Sequence, residues 1–108
     1  ALGACGGRKI LPAVMQLASL FVGGGDDLAA AVARPRIDVS DPAVAVVDDR
    51  LGAEVEAAVS AVMPANRAAE TVYPTSFAMP TAIAVDMAGI RTGTSAACHP
   101  WSGAVAAA

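Results

Sequence analysis

The sequence predicts an α+β fold, in which helical and extended segments occupy separate stretches of the chain. Three observations support this prediction. Apolar residues recur at intervals of three and four over residues 11–22, the pattern changes to a period of two after Pro35, and both patterns then return once more. Because the strands do not alternate regularly with helices, the pattern predicts an α+β arrangement and not an alternating βαβ unit.

Two helices are predicted in the first third of the chain. The first runs from Leu11 to Val22, with Pro12 in its first turn, where the missing N–H is tolerated, and it ends at Gly23-Gly24-Gly25. The pair Asp26-Asp27 suits the start of a second, shorter helix from Leu28 to Ala33. These segments predict a helix–turn–helix pair.

Extended segments and a third helix follow. Residues from Arg36 to Ser40 alternate between polar and apolar, Val44 to Val47 is short and β-branched, and Asp41-Pro42 between them is a turn signal. Helical spacing then returns from Leu51 to Met63 and ends at Pro64. The middle of the chain therefore predicts two strands and a helix.

The last third predicts mainly strands. We expect a loop from Ala65 to Arg67, a short strand from Thr71 to Tyr73 and a longer strand from Thr81 to Met87. Ala88-Gly89 predicts a hairpin turn that leads into a final strand from Ile90 to Ala97.

Composition predicts a thin hydrophobic core. The chain has 108 residues, of which 56% are hydrophobic but only 4% are aromatic, so alanine and valine dominate the apolar fraction. Small side chains bury little area each, and buried apolar area stabilises a fold by roughly 25 cal/mol per Å². We expect such a core to need packing against a neighbouring segment or chain.

Charge and hydropathy exclude two classes of partner. The net charge is −3 and the chain has no lysine or arginine cluster, which argues against a nucleic-acid surface. The apolar run from Ile10 to Val22 has about 13 residues, fewer than the roughly 20 needed to cross a bilayer. We therefore expect neither nucleic-acid binding nor a membrane span.

The segment from Gly3 to Ile10 holds the main candidate site, because Gly6 and Gly7 lie at a tight turn before a helix. Glycine adopts positive φ and lets another group approach closely, and the first N–H groups of a helix have no intrahelical acceptor. Such a corner suits a carboxylate, a phosphate or a developing oxyanion. The alternative is that the two glycines only allow a sharp chain reversal.

The cysteines and the histidine offer weaker candidates. Cys5 and Cys98 lie near opposite ends of the chain, so a disulfide is open but two small buried thiols are favoured. A nucleophilic Cys5 would need a base, for which His99 is the one histidine in the sequence. No metal-ligand spacing is present, and no cofactor is expected.

Three segments in order carry a resemblance to a known family. They are the run from Gly3 to Ile10, the run Gly24-Gly25-Asp26-Asp27-Leu28-Ala29-Ala30-Ala31-Val32, and Arg34-Pro35-Arg36-Ile37. With the strand from Thr81 to Val85 and the segment from Gly89 to Gly93, they resemble the C-terminal part of the small catalytic subunit of the γ-glutamyltransferases, over nearly the whole chain.

The resemblance implies a C-terminal portion of the αββα sandwich of N-terminal-nucleophile hydrolases, with residues 1–108 forming a single partial domain. It implies an enzyme that transfers or hydrolyses γ-glutamyl groups of donors such as glutathione through an acyl-enzyme on a threonine. Gly6 and Gly7 match the glycine pair whose amides form the oxyanion hole. The nucleophile lies outside these residues, so the chain alone is expected to be inactive and to require the remainder of the small subunit and the large subunit.

Several residues depart from this pattern or have simpler interpretations. His99-Pro100-Trp101 stands where many relatives carry Asp-Pro-Arg, so the C-terminal tail departs from the family pattern. Arg8-Lys9 is expected to face solvent, Arg36 to pair with Asp38 or a neighbouring segment, and Asp48-Asp49-Arg50 to form a charged turn. A non-catalytic α+β interaction module is the alternative hypothesis for the whole chain.

Overall fold

The structure is a computed structural model that describes residues 1–73, 76–96, 100 and 103–105. Within these residues it contains six strands and three α-helices. Their order is β1 (Leu2–Cys5), α1 (Ile10–Ala18), α2 (Leu28–Ala33), β2 (Ile37–Asp38), β3 (Ala45–Asp48), α3 (Ala53–Ser60), β4 (Ala65–Ala68), β5 (Met79–Val85) and β6 (Arg91–Ser95). The predicted α+β class is confirmed.

The first predicted helix is confirmed but is not uniformly α-helical. A 3₁₀ turn at Gly7–Lys9 leads into α1, and a π-helical turn at Ser19–Gly23 continues it. Gly25 then adopts a φ of 74°, in the left-handed region that favours glycine, and the helix ends.

Helix α2 has the predicted bounds because local signals define both of its ends. The Asp27 side chain accepts a hydrogen bond from the Ala30 N–H at 2.7 Å, as an N-cap does. Asp26 instead forms an ion pair with Arg34, with two N···O distances of 2.9 Å. The chain becomes extended at Arg34, directly before Pro35.

The first sheet has the antiparallel order β1-β5-β6. The predicted hairpin between β5 and β6 is confirmed, with Gly89 at a φ of 82° and the Asp86 carboxylate accepting from the N–H groups of Ala88 and Ile90. Strand β1 was not predicted, because its Gly and Ala residues have low strand propensity. It forms by pairing with β5, over the register from Leu2 opposite Ala82 to Cys5 opposite Met79.

The second sheet has the order β2-β3-β4 and corrects three predictions. The predicted loop at residues 65–67 lies in β4, and the predicted strand from Thr71 to Tyr73 is absent from this described stretch. Strands β3 and β4 are parallel and α3 connects them, so the chain does contain one βαβ unit. β4 forms through its ladder with β3, which the sequence Ala-Asn-Arg-Ala does not signal by alternation.

The core lies between the first sheet and helices α1 and α2. Leu17, Leu28, Val32 and the small residues Ala31 and Ala82 form a continuous buried cluster there. Several large apolar side chains outside this cluster stay exposed in the described residues: Met15 is 62% and Val62 is 86% exposed. No helix among the described residues is both long and apolar enough to cross a bilayer.

Candidate functional site

The glycine corner, Gly6-Gly7, lies between the end of β1 and the 3₁₀ turn that opens α1. Cys5, the last residue of β1, pairs with Met79 and thereby fixes one side of the corner. On the other side, the Lys9 N–H donates to the Gly6 carbonyl at 3.2 Å and the Ile10 N–H donates to the Gly7 carbonyl. The carbonyls of both glycines are therefore occupied by the first helical turn.

The N–H groups of the glycine corner, unlike its carbonyls, are not hydrogen-bonded within the described residues. Across the described parts of the chain, neither the Gly6 N–H nor the Gly7 N–H has a hydrogen-bond acceptor. Gly7 is exposed and Gly6 is half-buried. Consecutive unpaired N–H groups in a turn are a recurrent way to bind an anion, so this corner offers two backbone donors to a negatively charged atom.

The two positions need glycine for different reasons. Gly6 has a φ of 152°, and a Cβ built on it would lie 2.9 Å from both the Cα and the Cβ of Ala78. Gly7 has a φ of 59° but has open space around the position of a Cβ. Gly6 is thus required by close backbone packing as well as by conformation, whereas Gly7 is required by conformation alone.

A partly buried ion pair between Lys9 and Asp38 lies directly beside the corner. The Lys9 ammonium is 2.9 Å from Asp38 Oδ2, which also accepts a hydrogen bond from the Ser40 hydroxyl at 2.9 Å. Asp38 is only 4% exposed, and its Oδ1 has no partner in the described residues. The prediction that Lys9 faces solvent is therefore wrong, whereas Arg8 is exposed as predicted.

Arg36 is buried and is engaged by protein groups. Its guanidinium donates to the Val32 carbonyl at 3.1 Å, to the Glu70 carboxylate at 2.5 Å and to the Ala78 carbonyl at 3.4 Å. The expectation of a partner in a neighbouring segment is confirmed, and that partner is Glu70 and not Asp38. With 3% exposure, Arg36 is not available to a substrate carboxylate.

Arg36 belongs to a network of four charged side chains. Arg50 bridges the other oxygen of Glu70, at 2.8 Å, to Asp48, at 2.6 Å. Burial alone would raise the pKa of Asp48, but hydrogen bonds from Arg50 outweigh it, so this pKa lies below its ordinary value of 3.8. The same bonds raise the pKa of Arg50. Residues 48–50 form the predicted charged turn, in which Arg50 pairs with Asp48 and Asp49 is exposed.

The remaining candidates do not add to this site. Cys5 is exposed at the corner, so the prediction of a buried thiol is wrong for this residue. Cys98, His99 and Trp101 lie outside the described residues, so the disulfide and the Cys5/His99 pair stay predictions. No group of three metal-ligating side chains occurs in the described part of the chain. Ala78 and Asp38, which border the corner, carry no signal in the sequence that would have placed them there.

Comparison with known proteins finds solved structures that share the fold. No family model and no curated protein matches the chain. Among solved structures, it is similar to an acivicin-inhibited γ-glutamyltranspeptidase, with a TM-score of 0.71 and 15% identity over 94% of this chain and 54% of the other. The transpeptidase CapD of Bacillus anthracis matches with a TM-score of 0.73 and 19% identity, over 95% of this chain and 62% of the other.

A third similar structure is the cephalosporin acylase of Bacillus halodurans, with a TM-score of 0.78 and 18% identity over 95% of this chain and 20% of the other. The chain thus has the fold of a portion of the N-terminal-nucleophile hydrolases. More particularly, it has the fold found in about half the length of a γ-glutamyltranspeptidase chain. At these identities the likeness shows the fold alone.

Proposed function

We propose that the chain is part of an enzyme that transfers or hydrolyses γ-glutamyl groups, with the Gly6 and Gly7 amides as its oxyanion hole. The observation that carries this proposal is the pair of adjacent N–H groups without an acceptor in the described residues, at the mouth of a helix. The fold shared with γ-glutamyltranspeptidases supports it.

In the proposed reaction, a threonine outside these residues attacks the γ-glutamyl carbonyl carbon of a glutathione-like donor. The carbonyl oxygen gains negative charge as the tetrahedral intermediate forms, and the two glycine N–H groups donate to it. A preorganised donor of this kind contributes about 3 kcal/mol of transition-state stabilisation. Collapse of the intermediate expels the donor amine and leaves an acyl-enzyme, which water or an acceptor amine then cleaves.

The proposal requires other polypeptide segments. The chain spans 54% and 62% of the length of two of the transpeptidase chains that it matches. The proposed partners are the remainder of a small subunit, which brings the threonine, and a large subunit. The large apolar side chains left exposed on the described residues, such as Met15 and Val62, support a need for such neighbours.

The test compares the 108-residue chain alone with the complete product of its gene. We expect the complete product to release p-nitroaniline from γ-glutamyl-p-nitroanilide, and to be labelled covalently by acivicin on a threonine when that inhibitor is added. The chain alone should do neither. If the complete product shows no turnover and no covalent labelling, the enzymatic proposal is wrong, and the non-catalytic interaction module is the hypothesis that remains.

A further inference from the structure

Two charged residues at the start of β2, Arg36 and Asp38, contact the segments on either side of the glycine corner. Two contacts reach it from there: Arg36 donates to the carbonyl of Ala78, and Asp38 holds the Lys9 ammonium. Arg36, directly before β2, and Asp38, in β2, are almost fully buried, at 3% and 4% exposure. Buried charges are costly unless they are paired, so their presence beside this corner calls for a role.

The first contact acts through Ala78. Because a Cβ on Gly6 would lie 2.9 Å from the Ala78 Cα, the Gly6 backbone rests directly on the Ala78 backbone. Ala78 is 1% exposed, and its carbonyl oxygen lies 3.4 Å from Arg36 Nη2. The guanidinium is itself fixed by Glu70 and by the Val32 carbonyl, so it sets the position of the backbone that Gly6 touches.

The second contact acts through the 3₁₀ turn. The Lys9 N–H binds the Gly6 carbonyl while the Lys9 side chain is tied to Asp38 at 2.9 Å. The Gly6 carbonyl belongs to the same peptide unit as the Gly7 N–H, so anchoring one orients the other. The Lys9–Asp38 pair thereby limits rotation of the peptide that presents the Gly7 donor.

We propose that Arg36 and Asp38 are positioning residues that hold the Gly6 and Gly7 amides in the orientation needed for the oxyanion, Arg36 through Ala78 and Asp38 through Lys9. This inference rests on the proposed function of the glycine pair. Neither residue touches the substrate. Their removal should lower kcat and leave KM nearly unchanged, because an oxyanion hole acts on the transition state and not on the bound ground state.

The test uses the complete gene product with four variants. Arg36→Lys removes the contact with the Ala78 carbonyl, and Lys9→Met removes the contact with Asp38. Lys9→Arg keeps a cation opposite Asp38, and Arg67→Lys is the matched control. Arg67 also donates to a carboxylate, that of Glu56, and to two backbone carbonyls, those of Asp49 and Leu51. Within the described residues, these hydrogen bonds reach neither Ala78 nor Lys9. Lys9→Met keeps the test decisive if Arg36→Lys fails to fold, because the Lys9 side chain is 27% exposed.

We expect kcat to fall about 10- to 100-fold in Arg36→Lys and Lys9→Met, the loss that follows when a catalytic group is misplaced by up to about 1 Å. KM should stay within about twofold, and Lys9→Arg should recover most of kcat. Arg67→Lys should resemble the wild type. An unchanged kcat in a folded Lys9→Met variant, or a loss that Lys9→Arg does not reverse, would overturn the inference.

A second readout does not depend on activity. Cys5-Gly6 is the one Cys-Gly pair in this chain, so ¹³C-carbonyl cysteine combined with ¹⁵N-glycine labelling selects the Gly6 amide from the other amides of these 108 residues in NMR. We expect that signal to shift in Arg36→Lys and Lys9→Met but not in Arg67→Lys. If the wild type has no γ-glutamyl turnover while the signal shifts, the proposed function fails and the positioning contacts stand. If the signal does not shift, the positioning role is wrong whatever the activity.

Discussion

Gly6 and Gly7 have adjacent positions in the sequence but very different tolerance for a side chain. Alanine at residue 6 would face both a positive φ and a clash with the Ala78 backbone, whereas alanine at residue 7 would face only the φ penalty. This contrast separates the packing role of the corner from its conformational role.

We therefore expect Gly6→Ala to lower the free energy of unfolding by about 3 kcal/mol or more, the sum of backbone strain and overpacking. Gly7→Ala should lower it by about 1 to 2 kcal/mol, the usual cost of a left-handed conformation for a residue with a Cβ. Urea denaturation of both variants against the wild type measures the difference. Equal losses would contradict the close approach of Gly6 to Ala78.

The residues of the corner show how far sequence reasoning reaches. The glycine pair is visible in the sequence, because two adjacent glycines before an apolar helical pattern mark an unusual backbone. Ala78, Arg36 and Asp38 are not visible as its neighbours, since they meet it only after β1 pairs with β5 and α1 packs beside β2. The local sequence predicts the backbone conformation of the two glycines. Their contacts with other residues depend on strand pairing and packing between segments that are distant in the sequence.

The same distinction applies to whole elements. Helix α2 was predicted with its observed bounds because Asp27 and Pro35 define its ends through local chemistry. Strand β4 was missed because its formation depends on a parallel ladder with β3, about 20 residues earlier in the chain. Strand β1, rich in small residues, was missed for a similar reason.

At the end of β3, the pKa of Asp48 predicts how stability depends on pH. Because the folded pKa lies below the unfolded value near 3.8, the stabilising contribution is fully present above that value and is lost as the pH falls through the folded pKa. Asp26 adds to this trend, since its hydrogen bond with Arg34 also lowers its pKa.

We expect the free energy of unfolding to decrease as the pH falls below about 4, and Asp48→Asn to make that decrease smaller. The asparagine variant should differ most from the wild type at pH 6 to 7 and least in acid. Asp41→Asn is a suitable control, because the Asp41 carboxylate is exposed and, among the described residues, accepts only from the nearby Ala43 N–H. The same pH dependence in Asp48→Asn and the wild type would rule out this origin.

At the scale of the whole molecule, Glu70 joins parts of the chain that are distant in sequence. It binds Arg36 before β2 and Arg50 after β3, and it lies beyond β4 itself. One carboxylate, 12% exposed, thus ties the ends of three strands of the second sheet. Its loss would leave a buried guanidinium without its charged partner.

Glu70→Gln should lower the free energy of unfolding by about 2 to 3 kcal/mol, below the loss expected for a fully buried pair because Arg50 is half exposed. Glu56→Gln, which removes the partner of Arg67 at the surface, should cost at most about 1 kcal/mol. Chemical denaturation measures both. The interpretation fails if the two variants lose the same stability.

Arg50 is the most solvent-exposed member of the network formed by Arg36, Asp48, Arg50 and Glu70. Its side chain is 46% exposed, whereas those of Arg36 and Asp48 are 3% and 1% exposed. Dissolved anions such as sulfate can therefore compete with Glu70 for the guanidinium of Arg50 but cannot reach that of Arg36. We expect added salt to weaken the Arg50–Glu70 ion pair first. The hydrogen bond from Arg36 to the Ala78 carbonyl should be the last of these contacts to be lost.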